Sequence, residues 1–220
     1  GLAPEPTLDG FLAGRNAQAV QHLRLWSESA TRSPVPTYLW GPSGAGKTHL
    51  LRAGRQALLA QGAAVGWLDA DAPPRGAFSE QWDAVLLDDV HLYGAELQHT
   101  AFNWFVNAVA PASGRPRAVL AAGELPPADL PLREDLRTRL GWGHVFELQV
   151  LPETEMRAVL RRAADARGVF LSDEVMNFVL GRFSRDLGSL MQLLDHLDRY
   201  ALETQRAITI PLIKSMLHNE

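Results

Sequence analysis

Three glycines crowd the stretch Gly41-Pro42-Ser43-Gly44-Ala45-Gly46-Lys47-Thr48, and no other part of the chain constrains the fold so tightly. Its spacing is G-x-x-x-x-G-K-[ST]. Upstream, Pro36 to Trp40 reads as a short apolar strand; downstream, His49-Leu50-Leu51 and Leu58-Leu59 open a helical pattern. A strand, a glycine turn and a helix start are the context this spacing needs. Gly41, Gly44 and Gly46 reach backbone angles closed to other residues and let amides approach an anion. Amides gathered at the positive end of a helix form a nest for phosphate. Residues 41–48, with His49 behind them, are therefore read as a nucleotide-binding loop for ATP or ADP with Mg²⁺. Lys47 is placed to reach the β- and γ-phosphates and Thr48 to ligate the metal. Lysine occurs only here and at Lys214, so composition does not account for its position. A plain glycine turn capping a helix is the weaker reading in that context.

Around the loop the pattern alternates. A helix with Ala19, Val20, Leu23 and Trp26 on its apolar face follows Asn16, which is expected as its N-cap. Strands are expected at Val65 to Leu68, Trp82 to Leu87, Ala118 to Ala121 and Val145 to Leu148. The run from Trp82 to Leu87 is continuously apolar, as in a parallel strand buried on both faces. Helices are expected over Glu96 to Ala110 and Leu132 to Leu140. Strand and helix in alternation predict an α/β fold, a parallel sheet flanked by helices, over residues 1–150. From Pro152 onward the strands stop. Glu153 to Arg167, Asp173 to Phe183, Leu187 to Thr204 and Pro211 to Leu217 read as helices, with Ser172 capping the second, so residues 151–220 are expected to form a small all-helical domain.

Composition narrows the partners. With 25 acidic against 21 basic residues the net charge is −4, so no global basic field draws the chain to nucleic acid or anionic membrane. Cysteine is absent, which removes disulfides, thiolate metal sites and a cysteine nucleophile. No apolar run approaches ~18 residues, and no signal-peptide pattern is present, so a soluble cytoplasmic protein is expected.

A second constellation closes the third strand. Asp88 and Asp89 stand at the carboxyl edge of the sheet, where ligands bind in such folds. An acidic residue there holds Mg²⁺ beside the loop threonine, and a neighbouring carboxylate can orient the attacking water. A simple strand-end turn pair is the alternative.

Leu86-Leu87-Asp88-Asp89-Val90-His91, Arg137-Thr138-Arg139-Leu140-Gly141-Trp142-Gly143, Ser184-Arg185-Asp186-Leu187 and Arg206-Ala207-Ile208-Thr209-Ile210, together with the loop, resemble the AAA+ module of the DnaA family of replication initiators. The resemblance runs from about Phe11 to the end. It implies a P-loop AAA+ module followed by a helical lid. It also implies roles: Asp88 holds Mg²⁺, Asp89 activates water, and Arg139 is an arginine finger reaching a neighbouring subunit's nucleotide. Arg185 would be the lid arginine called sensor 2. Asn16, near Gly14, falls in the segment that lines the adenine pocket. Read without the family, Arg139 is a surface cation at a helix C-terminus, Arg185 a cap or bridge, Trp142 a packing anchor and His91 part of the strand end.

Three departures separate the chain from the initiators themselves. The sequence given ends at Glu220, where an initiator continues into a helix-turn-helix DNA-binding domain. Only Ala70 to Gln81 separates the second strand from the acidic one, leaving little room for the initiators' single-stranded-DNA insertion. Glu124 stands where relatives carry the Asp or Asn of sensor 1. A short, single-module relative that keeps the finger resembles the Hda family, the regulatory inactivators of DnaA. That resemblance implies DnaA and the DNA polymerase sliding clamp as partners, with DNA engaged indirectly. It also implies assembly as a homo- or hetero-oligomer through AAA+ interfaces. The clamp-binding peptide of that family lies at the extreme N-terminus, and residues 1–12 do not match it. The alternatives left open are a AAA+ ATPase or helicase loader hydrolysing its own ATP, and the AAA+ module of an initiator.

Overall fold

The computed structural model describes residues 7–8, 14–29, 33–71, 77–112, 114–183, 187–204 and 207–218. Among them lie five strands, β1 (Thr37–Trp40), β2 (Val65–Leu68), β3 (Ala84–Leu87), β4 (Ala118–Gly123) and β5 (His144–Glu147). They form one parallel sheet in the order β2-β3-β4-β1-β5. Parallel strands need crossovers, and three of them carry a helix, while among the described residues the β2–β3 connection carries none. They follow α1 (Ala17–Glu28), with α2 (Lys47–Ala60), α3 (Ala95–Val109) and α4 (Glu134–Leu140) between the strands.

The alternation inside each apolar strand decides which helix goes where. Ala84 and Leu86 of β3 and Leu120 of β4 pack with Leu23 of α1 and with Leu50, Leu51 and Leu58 of α2. Val85, Leu87, Val119 and Ala121 face the other way, onto Trp104 and Phe105 of α3 and Leu136 and Leu140 of α4. Both faces of the sheet are thus covered, which is why these strands read as unbroken apolar runs.

Four more helices follow: α5 (Glu153–Ala166), α6 (Asp173–Phe183), α7 (Leu187–Thr204) and α8 (Ile210–His218). They enclose a separate apolar cluster that includes Met156, Leu160, Met176, Leu180, Leu190, Leu194 and Ile213. Ser172 caps α6 as expected, its hydroxyl accepting the Val175 amide at 3.2 Å. Leu151 belongs to this cluster, while Val150 packs against the α1–α2 side of the sheet. Arg15 reaches across to the first turn of α5, its Nε donating to Glu155 at 3.0 Å. Among the described residues no helix is long and apolar enough to cross a membrane.

The expected Asn16 cap is replaced by a different bond. Asn16 does occupy the position before α1, but its side chain makes no cap hydrogen bond. Its Oδ1 accepts the Gln149 amide at 2.8 Å and its Nδ2 donates to the Gln149 carbonyl at 3.1 Å. A buried carboxamide satisfied at both ends by a distant main chain outcompetes local capping. Trp142 also departs from expectation: it is 63% exposed and anchors no core. The glycines beside it explain the motif instead. A Cβ on Gly143 would collide with the Pro36 carbonyl, and one on Gly141 would press on Pro127 at 3.0 Å. His91 lies in a 3-10 turn, Val90–Leu92, beyond the strand end.

Candidate functional site

The loop after β1 emerges at the carboxyl edge of the sheet, between β4 and β5. Its first residue is tied to both neighbours. The Gly41 amide donates to the Gly123 carbonyl at 3.3 Å, and a Cβ at Gly41 would lie 2.5 Å from the Leu148 carbonyl oxygen. Only glycine fits that approach. Gly44 and Gly46 take left-handed angles, φ 84° and 94°, and Gly46 is the residue from which α2 starts. Ala45 is buried and its amide closes the turn onto the Pro42 carbonyl at 3.2 Å.

Lys47, only 6% exposed, donates from Nζ to the Gly41 carbonyl at 2.7 Å and the Pro42 carbonyl at 2.8 Å. Burial lowers its pKa from the ordinary lysine value, opposed by the charges of Glu124, Asp89 and Asp88 in that order. The Thr48 hydroxyl donates to Asp88 Oδ2 at 2.8 Å. Asp88 is 2% exposed, and its other oxygen accepts the Asp89 amide at 3.0 Å. Desolvation pushes its carboxyl up to about 6, against the pull of the Thr48 hydrogen bond.

Asp89 is the one described non-glycine residue with positive φ, at 52°. Asp tolerates this region better than most residues, and the angle swings its side chain from the end of β3 toward the loop. There Ser43, Gly44, Gly46, Lys47, Thr48, His49, Asp89 and Glu124 line a cleft of about 170 Å³. The structure therefore brings together the loop, the second acid and the residue at the end of β4. The donor set suits a nucleotide with Mg²⁺. A loop turned by two left-handed glycines, a buried ammonium bound to main-chain oxygens, and a hydroxyl paired with a buried carboxyl are what a phosphate chain and a divalent cation require.

Other expected residues sit elsewhere. Arg139 does not line this cleft. It lies in the last turn of α4, where its Nη1 donates to the Asp135 carbonyl at 3.1 Å and its guanidinium stacks 4.8 Å from the Phe102 ring centre. Arg133, Glu134, Asp135 and Thr138 share that open surface with it. Asn16 is spent on Gln149. Arg185 lies outside the described residues.

Both Glu124 and His91 are named in the sequence reading, but their contact with each other is not. The Glu124 amide donates to His91 Nδ1 at 3.2 Å, while His91 Nε2 faces Glu124 Oε1 at 3.7 Å. Nothing in periodicity signals it. A histidine three residues beyond an acidic strand end was the available hint.

The fold and the loop together define a AAA+ module. The family model described as "Hda, lid domain" matches residues 153–217. An uncharacterized protein of Haemophilus influenzae is 34% identical over 97% of this chain and 94% of its own length. The crystal structure of domain III of the Thermotoga maritima replication initiation protein DnaA is similar, with TM-score 0.69 and 22% identity, covering 100% of this chain and 98% of that one. AMPPCP-bound DnaA from Aquifex aeolicus gives TM-score 0.62 and 22% identity, over 80% of this chain and 59% of that one. The chain belongs to the DnaA-related, Hda-like AAA+ proteins.

Proposed function

We propose that this chain binds ATP or ADP with Mg²⁺ and regulates replication initiation by stimulating ATP hydrolysis in DnaA, together with the sliding clamp. The observation that carries the reading is the separation of two chemistries. The phosphate loop and Asp89 line one cleft, with Asp88 bonded to Thr48 behind it, while Arg139 stands on the open face of α4 outside it. A cation so placed serves a neighbour's nucleotide better than its own.

In this reading the loop amides and Lys47 hold the phosphates, Lys47 exchanging its two carbonyl partners for phosphate oxygens. Thr48 and Asp88 would hold the metal, which supplies charge neutralisation. Asp89 would orient water, and the family resemblance assigns Arg185 the role of a lid arginine toward the phosphates. The bound nucleotide stabilises the fold by mass action. Arg139 rests on Phe102 and on the Asp135 carbonyl of its own helix, contacts it would exchange for a neighbour's phosphates at an interface. Fingers supplied in trans are worth roughly 10³–10⁵ in rate in other NTPases. The test is hydrolysis by ATP-loaded DnaA with this chain added, with and without clamp and DNA. Arg139→Ala is expected to bind nucleotide normally and to stimulate nothing; stimulation equal to wild type would rule the finger out.

A second reading has its own support. Asp89 and Glu124 both line the cleft, so the chain carries acids in position to act on its own ATP. Vigorous, concentration-dependent turnover by the purified chain without a partner would favour a self-acting ATPase or helicase loader.

A further inference from the structure

The geometry points to His91 as a positioning residue that fixes Glu124 over the phosphate side of the cleft and so sets how the site discriminates nucleoside triphosphate from diphosphate. This rests on the nucleotide reading above.

The end of β4 is held from three sides. Tyr38, buried in β1, donates its hydroxyl to the Leu125 carbonyl at 2.6 Å. A Cβ at Gly123 would lie 2.6 Å from that hydroxyl oxygen and 2.9 Å from Val90 Cγ2, so the main chain is clamped between β1 and the turn after β3. The third hold is His91 Nδ1, which accepts the Glu124 amide. Accepting there leaves the ring proton of the neutral histidine on Nε2, the nitrogen that faces the Glu124 carboxylate. One ring thus meets Glu124 at both its main chain and its side chain, and the imidazole is itself largely buried, with 11% of its side chain exposed.

Glu124 in turn lines the cleft with Lys47 and Asp89, and its charge is the largest acidic influence on Lys47. A carboxylate fixed beside the ammonium has two effects. It shares the positive charge that phosphate oxygens would otherwise take, and it repels the extra negative charge that separates a triphosphate from a diphosphate. His91 sits in the same turn as Asp89, so the two acidic walls of the cleft are carried on connected supports. Freeing Glu124 to swing into solvent should relax the penalty on the longer ligand.

The experiment uses the purified full chain with Mg²⁺, titrated calorimetrically with ADP and with a non-hydrolysable ATP analogue. Glu124→Gln is expected to raise the triphosphate-to-diphosphate affinity ratio about 5–10-fold, and His91→Ala about 3–5-fold. The double variant should match Glu124→Gln and not exceed it, because both act through one carboxylate. His91→Gln, which keeps a distal donor toward the Glu124 carboxylate, should return the ratio to within about twofold of wild type. His91→Asn keeps the near acceptor for the Glu124 amide without the distal donor; it should raise the ratio and replaces the alanine variant should that fail to fold. An unchanged ratio in His91→Ala or Glu124→Gln, equal loss of both affinities, or effects that multiply in the double variant would overturn the proposal. A wild-type chain that binds neither nucleotide would overturn the nucleotide reading itself, and this inference with it.

Discussion

Thr48 and Asp88 meet hydroxyl to carboxylate at 2.8 Å, joining the start of α2 to the end of β3. The bond brings the expected metal-holding pair together, and it only partly offsets the cost of burying Asp88. A carboxyl raised to about 6 in the folded chain from 3.8 favours folding where it is neutral. That advantage is complete below about pH 4 and is lost as pH rises through about 6.

Asp88→Asn, measured without metal or nucleotide, should therefore stabilise the chain at pH 7.5. Asparagine keeps an acceptor for the Asp89 amide and turns its NH2 to the Thr48 hydroxyl oxygen, without the buried charge. We expect a gain of about 1–2 kcal/mol, or a Tm rise of about 3–6 °C. At pH 4 the gain should vanish. Thermal melts of both proteins across pH 4–8 check this, and a gain that persists unchanged at pH 4 would contradict it.

Lys47→Ala removes the one cation in the wall of the cleft among the described residues. Nucleotide affinity should fall at least 100-fold, on the order of 3 kcal/mol for a charge-assisted contact. The apo melting temperature should stay within a few degrees, because the two hydrogen bonds lost are offset by removing a buried charge. Calorimetric titration and melting curves read both quantities.

Asn16→Ala strands both polar groups of the Gln149 main chain at the junction of the sheet and the helical segment. The expected cost is about 1–3 kcal/mol, a Tm loss of about 3–8 °C. A loss under one degree would show that water replaces the carboxamide freely.

The Trp142-Gly143 pair should divide sharply. Trp142→Ala, on an exposed side chain, should change stability by less than about 0.5 kcal/mol. Gly143→Ala pushes a methyl group into the Pro36 carbonyl and should cost about 2–4 kcal/mol or block soluble expression. Equal effects in urea unfolding would refute the assignment of that glycine to backbone packing.

Much of the fold was legible because its signals are local. β2, α6 and α7 begin and end where the apolar pattern places them. Boundaries moved where distant residues intervened. β3 starts at Ala84 rather than Trp82, because Trp82 turns its amide to Ser79 and packs its ring on Trp104. β4 runs on to Gly123, whose carbonyl receives the loop. In the site, the 41–48 loop and the acidic pair were legible since each is a contiguous stretch with its own chemistry. Asn16 holds the expected N-cap position but spends its side chain on a partner 133 residues away, and the His91–Glu124 contact spans 33 residues and two strand ends. Sequence spacing carries no information about such pairings.

The two carbonyls that grip the Lys47 ammonium make ligand entry an exchange. An arriving phosphate must take the ammonium from oxygens the loop already supplies, so the measured affinity is the difference between two solvating shells. Chemistry that loosens either carbonyl, even without touching the ligand, would sharpen the loop's appetite for anions.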